Sequence, residues 1–86
     1  MTWVEHDERL QMMSLPAWEK LLAQLHGEHD ALADDLERAF GERLAVTHGR
    51  WVASRQLLAT LRNMREESRQ KVEEHYAQLE KTLTYE

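Results

Sequence analysis

Residues 47–84 form an unusually long stretch with no proline and one glycine, Gly49, near its start. Helix-favouring residues fill nearly all of it. Read as one helix over about 48–84, it is roughly 54 Å long at ~1.5 Å per residue. No helix of that length buries its own apolar side, so the rest of the chain or a second chain must cover it.

The preceding sequence supplies a candidate cover. From Pro16 onward, Trp18, Leu21, Leu22, Leu25, Leu32, Leu36, Ala39, Phe40 and Leu44 recur at helical spacing, in phase through Gly27 and past Gly41. Unbroken phase predicts one helix over about 16–45; the rival reading is a C-cap at Gly41 that ends it earlier. Upstream, Thr2 and Glu5 fit a capping box and Ser14-Leu15-Pro16 fits a helix start with Ser14 as N-cap, which places a short helix at about 3–13. Residues 45–49 are then the point of reversal, with Thr47 as N-cap. The expected fold is all-α, a single helical domain over 1–86: a long antiparallel hairpin with a short N-terminal helix at its open end. Dimerisation or a bound partner would complete the bundle.

A turn near residues 47–48 fixes a register in which paired positions sum to about 95. Trp18 then faces the Tyr76–Leu79 region, and Asp30 and Asp34 fall beside Arg65 and Arg62. That pairing accounts for a charge pattern that composition alone hides. Net charge is −5, yet residues 1–42 carry ten acids and three bases, residues 43–65 carry five arginines and no acid, and residues 66–86 carry six acids and three bases. On the long helix Trp51, Leu58, Leu61, Val72, Tyr76, Leu79 and Leu83 form a second apolar stripe, and the same register brings His29 and Arg65, which interrupt the two stripes, to one height as a polar layer.

Eighty-six residues make a small domain in which a single core is marginal. Cysteine is absent, which excludes disulfides and thiolate metal sites. The first residues lack the layout of a signal peptide, and no apolar run approaches the ~18 residues of a membrane span. The expected protein is therefore cytoplasmic, with no membrane association. Phosphate-cradling, nucleophile-elbow and zinc-finger patterns are also missing, and neither an enzyme activity nor a cofactor is expected.

Three features remain as candidate interaction sites. Trp3 and Trp18 lie toward one end of the hairpin and Trp51 toward the other, and a seam two helices wide buries large rings poorly; with Tyr76, Leu79 and Leu83 they are anchors for a second chain. Arg55, Arg62 and Arg69, seven apart, form a ridge with Arg65 close by. That ridge orients a protein partner or, as the alternative, tracks nucleic-acid phosphates, a use opposed by the negative net charge. His26 and His29, three apart, are the third feature. The run 25–32 (Leu-His-Gly-Glu-His-Asp-Ala-Leu) resembles the metal-bearing helices of hemerythrin-type domains, and the resemblance implies metal binding at His26 and His29. It covers those eight residues alone: the chain is too short for four helices and no His-x-x-x-Glu follows, so no metal is assigned. The function these features predict is a small non-enzymatic protein–protein interaction module, an adaptor, chaperone-like protein or inhibitor. Its partner is a second copy or another helical protein.

Overall fold

The computed structural model describes residues 1–84, which form three helices: α1 (Trp3–Met13), α2 (Pro16–Arg38) and α3 (Glu42–Thr84). No strand occurs among the described residues. α3 packs against both α1 and α2, whereas α1 touches α2 only slightly. The two short helices therefore lie one after the other along α3, both antiparallel to it. His29 of α2 reaches Ser54, and on α1 Arg9, His6 and Trp3 reach Met64, Ser68 and His75 in turn.

Local chemistry explains each boundary. Thr2 caps α1, its hydroxyl accepting from the Glu5 amide at 3.3 Å. Ser14 closes α1, its amide donating to the Gln11 carbonyl at 3.2 Å and its hydroxyl to the Leu10 carbonyl at 2.8 Å. The expected N-cap role of Ser14 is thus corrected: Leu15 occupies that position with no side-chain cap, and Pro16 follows in the first turn, where a missing amide costs nothing.

The larger correction lies at the reversal. α2 ends at Arg38, not near residue 45, and α3 starts at Glu42, not near 48. Ala39 is extended and Gly41 has φ +64°, a left-handed conformation open to glycine at little cost. The apolar phase that runs through this point does not keep the helix continuous, and Phe40 stays 84% exposed. Thr47, the expected N-cap, lies inside α3 and is buried. Moving the turn shifts the register from sums near 95 to sums near 83, the value set by His29 and Ser54.

The outcome is a rod of 69 × 23 × 17 Å with a radius of gyration of 19.0 Å, against about 12 Å for a compact chain of this length. Its accessible surface is 6963 Å², whereas a compact monomer of this mass exposes about 5,300 Å². Met13, 2% exposed where α1 meets α2, is the one buried apolar side chain among the described residues. None of the described helices is long and apolar enough to cross a membrane.

Candidate helix-docking groove

Two sets of polar contacts, one on each short helix, reach α3. On α1, His6 Nδ1 lies 2.9 Å from Ser68 Oγ, which also accepts from Arg9 Nη1 at 3.2 Å. A serine hydroxyl can accept from a guanidinium while donating to an imidazole, so one small group serves both. His6 and Ser68 are buried, Ser68 completely. On α2, His29 Nδ1 lies 3.1 Å from Ser54 Oγ. Ser54 and Ser68 belong to a row at seven-residue spacing: Thr47, Ser54, Leu61, Ser68 and His75, every member buried or half-buried. The row facing the short helices is thus built mainly of small polar residues. No buried side-chain nitrogen or oxygen among the described residues lacks a partner.

Between α2 and α3 a groove of about 490 Å³ opens to solvent. Its apolar lining comes from Trp18 and Leu22 of α2, from Leu58 and Leu61 of α3 and from Met13 of α1. Arg55, Arg62 and Arg65 line it from α3, and His26 and His29 from α2. No acidic residue among the described residues lines it. Arg55 also sits over the Trp51 ring, its guanidinium carbon 5.6 Å from the centroid. The His29 and His48 rings lie 5.6 and 6.3 Å from the same indole, so Trp51 anchors an aromatic cluster at this end of α2.

The predicted interaction residues separate into three groups. Arg55, Arg62, Arg65 and Trp18 meet in the groove, with Trp51 beside it. Trp3 stacks on His75 at 3.9 Å and meets Tyr76 edge-on at 6.3 Å, a cluster at the far end of α1. Beyond it Leu79 and Leu83 are exposed, Leu83 at 70%. Arg69 belongs to neither site, because it is ion-paired within α3 to Glu66 and, at 2.6 Å, to Glu73. Arg55, Arg62 and Arg69 keep their seven-residue spacing along α3, but the charge of Arg69 is matched within the helix. The hydrogen bond from Arg69 and its charge hold the exposed Glu66 carboxyl below the ordinary carboxylate range, and the same pair holds Arg69 above its usual value.

Two expected pairings do not form. The ion pairs among the described residues are Arg69 with Glu66 and Glu73 and Lys71 with Glu74, all inside α3, so the acids at 30–37 do not neutralise Arg62 and Arg65. His29 and Arg65 do not form one layer. His29 is paired at the height of Ser54, eleven residues from Arg65 along α3. Within residues 65–71 of α3, α1 reaches Ser68 through His6 and Arg9, while the other residues of that section stay exposed. His26 and His29 both line the groove, yet no group of three or more His, Cys, Asp or Glu residues converges among the described residues. The hemerythrin-like run thus gains no further ligand. His6, Arg9 and Ser54 had no sequence signal as individual residues; the seven-residue row was the trace that could have found Ser54 and Ser68.

Comparison with family models, with curated proteins and with solved structures yields no match, so the functional argument rests on these residues alone.

Proposed function

We propose that this chain is a small non-enzymatic protein–protein interaction module, an adaptor, chaperone-like protein or inhibitor that works in the cytoplasm. It acts by packing a helix of a partner, a second copy or another helical protein, against its own three. One observation carries the reading: the rod exposes 6963 Å², some 1,600 Å² above the area of a compact monomer of its mass. A standard interface removes about 800 Å² from each partner and an obligate one removes more, so the excess is of the size that association covers. The exposed Trp3, Tyr76, Leu79 and Leu83 and the half-buried Trp18 and Trp51 are the anchors such a contact would use.

Thermal unfolding followed by circular dichroism at ~1 µM tests this. A self-sufficient domain of 86 residues unfolds with about 60 kcal/mol of van't Hoff enthalpy. The isolated chain is expected to give a broad transition with less than about half of that. A sharp melt at the full enthalpy and this dilution would mean that the helices suffice without a partner.

A further inference from the structure

We propose that the groove between α2 and α3 takes an acidic amphipathic helix of another protein, about three turns long, with carboxylates seated on Arg55, Arg62 and Arg65. This rests on the interaction reading above and names its partner by chemistry. The three arginines are exposed, line one groove and have no acidic partner among the described residues. They flank a floor of Trp18, Leu22, Leu58 and Leu61. A docking helix with an apolar stripe and acids beside it satisfies both parts at once.

The spacing sets the register of the ligand. Arg55 and Arg62 are two turns apart, about 10.5 Å along α3, and Arg65 is nearly one turn further. A helix laid along the groove meets the first two with carboxylates seven residues apart, while leucines at helical spacing reach the floor.

Charge selects this occupant over two others. A second copy joined through the same groove by a two-fold axis would set arginines against arginines, since such an interface repeats one patch on both sides. A nucleic-acid strand matches the arginines but leaves the apolar floor unused. It would also approach a chain of net charge −5, with Glu28, Asp30 and Asp34 exposed on α2. An acidic helix has neither defect, because its apolar side offsets the repulsion that a bare polyanion meets.

The test uses the full chain and a labelled synthetic peptide of about 18 residues, long enough to be partly helical. The peptide carries leucines on one face and glutamates seven apart beside them, and binding is read by fluorescence anisotropy. The acidic peptide should bind, and binding should weaken between about 50 and 500 mM salt, over which the Debye length falls from roughly 14 to 4 Å. Replacing its glutamates with lysines, or its leucines with serines, should weaken it by about tenfold or more, as should the exposed double substitution R55A/R62A. Arg62→Glu should restore part of the affinity for the lysine peptide. Equal binding of acidic and basic peptides, full binding without the leucines, or indifference to the arginine substitutions would each overturn the proposal. If the acidic peptide does not bind while the chain sediments at twice its 10.2 kDa mass, the occupant is a second copy; this inference then fails and the interaction reading stands. If it neither binds nor self-associates and melts as a self-sufficient monomer, both fail.

Discussion

Replacing Ser68 with leucine is expected to release α1 from α3. Ser68 is fully buried, so a leucine there has no room, and overpacking costs about 1–3 kcal/mol. The same change removes the hydroxyl that pairs with His6 and Arg9. Leaving the buried imidazole nitrogen without a partner adds about 1–3 kcal/mol. What else holds α1 to α3 includes the Trp3–His75 stack and the Arg9 contact with the Met64 carbonyl; the helix is 11 residues long and leans on α2 only slightly. Helices shorter than ~12–15 residues are marginal alone, so a detached α1 unfolds. Far-UV circular dichroism should lose about one seventh of its helical signal, the share of α1 among the three helices. Trp3 should leave its stack on His75, which near-UV dichroism reads directly. Ser68→Ala separates the two causes, for it removes the hydroxyl without overpacking and should cost about 1–3 kcal/mol. Unchanged helicity and an unchanged Trp3 signal in the leucine variant would show that Ser68 does not hold α1 in place.

How this seam was built explains which parts of the fold were legible. The Thr2 cap marked the start of α1, because a cap is a local bond between near neighbours in sequence, and Pro16 marked the start of α2 although Ser14 does not cap it. α3 was legible as a long helix for a similar reason: a long proline-free run leaves few alternatives. Its partner face was not legible. Hydropathy points to leucines, but the row that meets the short helices holds Thr47, Ser54, Ser68 and His75. A serine is equally at home in solvent or in a seam, and its burial depends on a histidine that only the folded chain brings to it. The contact that α1 makes with the polar middle of α3 at Ser68 therefore left no mark in hydropathy.

Charge lent false support to the register for a related reason. Residues 30–37 and 55–65 have opposite charge, and their pairing followed from a turn at 47–48. Exposed ion pairs contribute only ~0.2–1 kcal/mol each, too little to move a turn by several residues. The turn sits where the backbone permits a left-handed residue, and the charges take the positions that remain. The same error hid the groove: once Arg55, Arg62 and Arg65 are not neutralised by α2, they become a cationic lining with an apolar floor. The arginines and Trp18 were visible in sequence as separate signals, and the correct turn is what puts them together.

The turn itself should be a switch between two assemblies, and Gly41→Ala is expected to throw it. At φ +64° an alanine is strained by about 1–2 kcal/mol. No neighbour lies within 4 Å of a Cβ at that position, so the strain comes from the backbone alone. The open alternative gains at the same time, because alanine favours a helix interior over glycine by about 1 kcal/mol. Leu36, Ala39, Phe40 and Leu44 hold their helical phase across the turn, so α2 and α3 can fuse without a break in the apolar stripe. A fused helix over residues 16–84 is about 100 Å long. Its α2 half can then find a matching α3 only on another molecule, the condition for domain exchange. Small-angle scattering should show the longest dimension rise from near the 69 Å of the closed rod toward ~100 Å, with the mass doubled. Gly41→Asn is the control, since asparagine tolerates the left-handed region and should keep the closed form. An alanine variant that keeps the length and mass of the parent while melting earlier would mean that the His29–Ser54 pair and the contacts around Trp51, rather than Gly41, decide where the chain turns back.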